Sequence, residues 1–167
     1  VRAALLAVLL WGTASAAEPA ATLQRAAMFV KDRPAVVAFY RDVLGYAEGV
    51  TTLGAGPYAA GNPWGLPAGA HIDLTYLKSA DGAFMAVMST DAALPELARA
   101  PGGGNAFSEI ALVHTVTGLD AIHARAKAAG AVILQPPKLS ASGKARQMFL
   151  RDPAGTRIEL NEMLPAQ

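Results

Sequence analysis

Phe149-Leu150-Arg151-Asp152-Pro153-Ala154-Gly155-Thr156-Arg157-Ile158-Glu159-Leu160 is the stretch that decides the fold. Asp152 to Gly155 is turn chemistry: proline presets φ for a tight turn, and glycine accepts backbone angles that other residues resist. The flanking runs, Gln147 to Leu150 and Arg157 to Leu160, therefore read as two strands joined by that turn. Working upstream, Glu109 to Thr115 reads as a strand, and Leu119 to Ala129 keeps helical spacing and stops at Gly130. Val132 to Leu134 follows as a strand that Pro136-Pro137 breaks. The order is β-α-β-β-β.

The first half repeats that order. Leu23 to Val30 is mainly apolar, Asp32 is placed to cap a helix and Pro34 suits its first turn. Val36, Val37, Phe39, Tyr40, Val43 and Leu44 recur at helical spacing, and Gly45 stands where a left-handed cap is wanted. Tyr46 to Leu53, Ile72 to Leu77 and Phe84 to Met88 read as strands, the last after an Asp81-Gly82 turn. Between the halves, Asp91 to Asn105 carries Pro95, Pro101 and Gly102-Gly103-Gly104, which is linker composition. The prediction is one α+β domain over 18–167, with module one at 23–90, a linker at 91–105 and module two at 106–163. Overlaying the halves sets Asp81-Gly82 on the Asp152 turn and Ala86 on Glu159. Arg25 lies 20 residues before Gly45 and Glu109 lies 21 before Gly130, which pairs those two as well.

Composition limits the function. Of 167 residues, 53% are hydrophobic and 16% charged, with a formal net charge of +1, so neither disorder nor an electrostatic grip on nucleic acid is expected. There is no cysteine, which excludes disulfides and thiol nucleophiles. Arg2 precedes the apolar run Ala3 to Trp11, and Ala14-Ser15-Ala16 supplies the small-x-small pattern of a cleavage site. That predicts a signal peptide over 1–17, export to the periplasm or beyond, and no membrane attachment after cleavage.

Val30-Lys31-Asp32, then Phe39-Tyr40-Arg41-Asp42-Val43-Leu44-Gly45-Tyr46, then the Phe149 to Leu160 segment, resemble the vicinal oxygen chelate superfamily. Its members include glyoxalase I, extradiol dioxygenases, and fosfomycin and bleomycin resistance proteins. The resemblance spans Leu23 to Met163. It implies two βαβββ modules whose strands form a curled, cup-shaped mixed sheet, helices outside and ligand inside. In metal-dependent members the ligands stand on the first and last strands of each module, and those places fall here on Arg25, Ala86, Glu109 and Glu159. Arginine has no lone pair to donate and alanine offers nothing, so no metal cofactor is favoured. A divalent cation would have to recruit His71 beside Glu109 and Glu159.

Strand alternation turns Glu109, Glu159, Asn161 and Arg25 toward the cup if the neighbouring apolar residues pack outward. Arg25 would then neutralise one carboxylate and leave the other as a general base, or stabilise an oxyanion. On the same reasoning His71, Asp73 and Thr75 face the cup as a polar set that touches the ligand. The Gly54 to Gly69 loop carries Tyr58 and Trp64 and is expected to fold over a bound molecule. His114 and His123 are not favoured, and Lys138, Lys144, Arg146 and Arg151 read as a solvated basic face. The partner is a small organic molecule rather than nucleic acid. Two functions stand side by side: a metal-independent glyoxalase-like lyase or isomerase, and a non-catalytic binding or sequestering protein of the bleomycin-resistance kind. The modules either pair within one chain or exchange between two chains of a homodimer.

Overall fold

The computed structural model describes residues 23–96 and 109–165. The expected signal peptide lies outside the described residues, as does most of the expected linker. Module one runs β1 (Arg25–Phe29), α1 (Arg33–Asp42), β2 (Ala47–Ala55), β3 (Ile72–Lys78) and β4 (Phe84–Thr90). Module two repeats it as β5 (Ala111–Thr115), α2 (Leu119–Ala128), β6 (Val132–Leu139), β7 (Ala145–Arg151) and β8 (Arg157–Met163). Each module is a four-stranded mixed sheet, ordered β1-β4-β3-β2 and β5-β8-β7-β6, and the two sheets are not hydrogen-bonded to one another. In each, the first strand runs parallel to the last and stands at an edge of the sheet.

Local chemistry accounts for the boundaries. The Asp32 carboxylate accepts from the Ala35 N–H at 3.0 Å and caps α1, and Pro34 sits in the first turn where no donor is missed. Gly45 at φ +79° lets the chain leave α1 at once, an angle that costs a residue with a Cβ. The prolines at 136 and 137 do not end β6. They sit where the β6–β7 register shifts, on an edge strand that can spare the N–H groups proline lacks, so the strand continues to Leu139.

One apolar core serves both modules. Val36, Val37, Phe39, Tyr40 and Val43 from α1 and its end join Leu77, Met85 and Val87 of module one. Leu119, Ile122 and Ala126 of α2 join Met148, Leu150, Ile158 and Leu160 of module two in the same cluster. Polar contacts pin the joint. Arg125 donates through Nε and Nη2 to the Val43 carbonyl at 3.0 and 2.9 Å, satisfying an acceptor that the end of α1 leaves over. The Tyr46 hydroxyl meets Nε2 of His114 at 2.9 Å. Among the described residues no helix is long and apolar enough to cross a membrane.

Candidate functional site

The sheet faces remote from the shared core carry the candidate chemistry. On β8, Ile158 and Leu160 are fully buried in the core, so Arg157, Glu159 and Asn161 point to the other face. On β7 the core takes Met148 and Leu150, which leaves Gln147, Phe149 and Arg151 on that same face. Gln147 Nε2 donates to Glu159 Oε1 at 3.0 Å and to Asn161 Oδ1 at 2.7 Å, while Asn161 Nδ2 donates to the same Glu159 oxygen at 2.9 Å. Glu159 is therefore a half-buried carboxylate held in one pose by two neutral amides.

Glu109 lies ahead of β5 in a different network. Arg151 Nη1 donates to its Oε1 at 2.5 Å and to the Gly155 carbonyl at 2.8 Å, with Arg157 Nε 3.8 Å from that same Glu109 oxygen. These side chains are well covered, Glu109 at 17% exposure and Arg151 at 9%. Arg151 thus corrects the expected solvated basic face: its charge is withdrawn into an ion pair beside the 152–155 turn.

Arg25 stands on module one. Its Nη1 donates to the Gln24 side chain at 3.1 Å and its guanidinium lies 5.8 Å from the Tyr76 ring centroid. It borders an open pocket of about 410 Å³ together with Gly49, Val50, Tyr76 and Phe84. The expected convergence of Arg25 with both glutamates is therefore corrected. Within one chain Arg25 belongs to module one's face, Glu159 to an amide cluster and Glu109 to an arginine pair, because the modules join through their helix sides and not through these faces.

Register also corrects the overlay of the halves. Arg25 pairs with Phe84 across β1 and β4, and Ala111 pairs with Arg157 across β5 and β8. With Phe84 superposed on Arg157, the counterpart of Arg25 is Ala111, two residues beyond Glu109. The four first-strand and last-strand places are thus Arg25, Ala86, Ala111 and Glu159, a set with one anionic donor and one fixed cation. Among the described residues no group of three or more His, Asp or Glu is arranged to hold a metal. These residues do not fit the ligand set that the resemblance implies.

The polar set on β3 is turned the other way. Leu77 is a core residue, so its alternation partners Thr75 and Asp73 share the helix side. Thr75 is fully buried, receives a hydrogen bond from Arg33 and meets the Thr51 hydroxyl at 2.9 Å, and Asp73 accepts from the Gly54 N–H at 2.8 Å. Ile72, Leu74 and Tyr76 take the outer face, where Ile72 and Leu74 gain cover from residues 58–70 of the preceding loop and Tyr76 borders the open pocket. His71, just before β3, binds Asp91 with both its backbone N–H (2.8 Å) and its ring Nδ1 (3.0 Å). Backbone and ring hydrogen bonds from His71 hold the Asp91 carboxyl below its usual range.

Tyr58 and Trp64 both rest against module one, although Trp64 stays 44% exposed. Tyr58 lies against the cluster of Leu66, Ala70, Ile72 and Met88, and Trp64 meets Phe29 edge-on with ring centroids 5.8 Å apart. The loop is fixed by Asn62, whose side chain bonds the backbone of Ala59, Trp64 and Leu66. The residues that sequence reasoning missed are Tyr76, Phe84, Gln147, Arg151 and Arg157. Their signal was present as alternation against core residues, but it becomes readable only once the core face of each strand is known.

Two βαβββ modules, each with its first strand at a sheet edge and parallel to its last, define a class of two-module α+β proteins with open mixed sheets. Comparison assigns the family. The sequence pattern of the Glyoxalase/Bleomycin resistance protein/Dioxygenase superfamily matches residues 22–160, and the chain belongs to that superfamily. Among solved structures it resembles a glyoxalase family protein from Bacillus cereus, at TM-score 0.70 and 18% identity over 86% of this chain and 94% of that one. A fosfomycin resistance protein from Listeria monocytogenes, solved with manganese(II) and 1S,2S-dihydroxypropylphosphonic acid, gives TM-score 0.54 and 16% identity over 86% and 90%. A lactoylglutathione lyase from Agrobacterium tumefaciens gives TM-score 0.54 and 19% identity over 87% and 96%. At these identities the likeness concerns the fold. No curated protein matches the chain.

Proposed function

We propose that this chain is a small-molecule binding protein whose ligand seats on the outer face of module one, beside Arg25, Tyr76 and Phe84. One observation carries the reading: an open, mainly apolar pocket is lined by two aromatic rings and a guanidinium whose hydrogen bond goes to a neutral amide. A few polar groups on an apolar concave wall are what ligand sites are made of. Binding is tested by screening a chemically diverse library for shifts in melting temperature, then repeating the hits on Phe84→Ala. Hits that lose their shift support the pocket, and a library without hits overturns the reading.

A second copy is proposed to complete the site. Strands β1 and β5 each present one unpaired edge, and Val50, Phe84, Ile110 and Val113 are exposed on or beside the outer faces. Burying such edges and apolar residues favours self-association. Light scattering coupled to size exclusion checks it, and a strict monomer at micromolar concentration contradicts it.

The catalytic reading, a lyase or isomerase step, is favoured by Glu159 alone: a carboxylate fixed by two amides is a base held ready in one direction. Export of the chain is proposed as well, on the apolar run that follows Arg2. Protein retained inside the cell with its N-terminus intact at Leu5 or earlier contradicts it.

A further inference from the structure

We infer that the module-one pocket takes a planar organic anion, with Arg25 supplying the fixed positive charge; this rests on the binding reading just given. Arg25 is on the first strand at the place where metal-dependent relatives are expected to put a ligand. A guanidinium there fills with permanent charge a position that cannot coordinate an ion. It is exposed at the pocket rim, its polar partner is the Gln24 amide, and among the described residues no carboxylate pairs with it.

A second cation stands on the same sheet face, next to the pocket's Phe84 but outside the pocket lining. Lys78 Nζ lies 5.7 Å from the Phe84 ring centroid, as Arg25 lies 5.8 Å from Tyr76. Both charged groups thus rest over aromatic rings that border the pocket. No acidic residue lines it among the described residues. The floor is tight as well as apolar: a Cβ on Gly49 would come 3.2 Å from the Tyr76 carbonyl oxygen, so glycine keeps β2 close to Tyr76 there. Flat aromatic walls with a guanidinium at the rim select a flat body that ends in a carboxylate or comparable anionic oxygen.

The test is calorimetric titration of the full chain, in EDTA, with 1-naphthoate, its neutral counterpart 1-naphthamide, and 1-naphthylmethylammonium. The expected order is naphthoate at least tenfold tighter than naphthamide, with the ammonium weakest. Arg25→Gln removes the preference for naphthoate, Arg25→Lys retains part of it, and Phe84→Ala weakens naphthoate and naphthamide alike. Equal binding of all three probes, or a preference unchanged in Arg25→Gln, overturns the anion inference while small-molecule binding stands. If none of the three binds yet neutral library compounds do, the anion inference again falls alone. If nothing in either set binds, both fall.

Discussion

The Tyr40 hydroxyl donates to Oδ2 of Asp152 at 3.1 Å, joining α1 of module one to the β7–β8 turn of module two across 112 residues of chain. Both residues are buried, Tyr40 completely. Burial is the main cause that raises both their pKa values, with the neighbouring carboxylate adding to the rise at Tyr40. The Thr156 N–H also donates to Asp152, at 2.8 Å, so this carboxyl organises the turn as well as the joint.

Removing the hydroxyl with Tyr40→Phe leaves a buried acceptor short of one donor. The expected loss is about 1–3 kcal/mol of unfolding free energy. Chemical denaturation of Tyr40→Phe, Asp152→Asn and the double variant measures the coupling. A double variant whose loss equals the sum of the single losses shows that the two do not interact.

His114 gives the fold a slope with pH. Its Nδ1–H faces the Leu112 carbonyl at 3.2 Å, so Nε2 carries the lone pair that receives the Tyr46 hydroxyl. Burial lowers its pKa, and the folded state therefore holds the ring neutral while the unfolded chain protonates it near pH 6.5. Stability from this group is complete above about pH 6.5 and is lost as pH falls from there toward the depressed folded value. Asp152 works in the opposite sense at lower pH: its folded pKa is raised, so the penalty for ionising it is relieved as pH drops through that value toward the unfolded one. Melting temperatures recorded from pH 7.5 to 5 should fall in the wild type and fall less steeply in His114→Gln. Parallel curves would remove His114 as the cause.

Glu109 and Glu159 should separate cleanly. Glu109→Gln weakens a covered pair with Arg151 and is expected to cost about 1.5–3 kcal/mol of stability, with ligand affinity unchanged. Glu159→Gln keeps the amide cluster's shape and should leave stability within about 0.5 kcal/mol, while abolishing any proton transfer the protein performs. Thermal unfolding and turnover measured on both variants decide, and a Glu159→Gln protein with full turnover dismisses it as a base.

Trp64→Ala removes the edge-on contact with Phe29 and is expected to lower stability by about 0.5–1.5 kcal/mol. Because the docked loop rests against Ile72 and Met88 and Trp64 does not border the Arg25 pocket, affinity there should be unaltered. A large drop in affinity would show that the loop also reaches the ligand.

Much of the architecture was legible because it rests on local rules. Asp32, Pro34 and Gly45 mark the limits of α1, Gly130 follows α2, and the matched turns at Asp81 and Asp152 expose the repeat. What stayed hidden depends on which side of a strand the partner module needs. Thr75 looks like a ligand-facing polar residue until Leu77 is known to be core, since alternation fixes relative faces but not their direction. The pairing of Arg25 with Glu109 failed for a related reason. Counting back to a glycine after the helix carries an error of one or two residues, and hydrogen-bond register replaces Glu109 by Ala111.

The common interior formed by α1 and α2 leaves the two halves unequal freedom to drift apart. Positions such as Val36, Tyr40, Leu119 and Ile122 answer to each other across the repeat and must stay greasy, whereas outer-face places such as Arg25, Ala86, Ala111 and Glu159 take no part in that shared core. Arginine opposite alanine, and alanine opposite glutamate, is the pattern such latitude produces, so new specificities in this lineage can arise outside without renegotiating how the chain collapses.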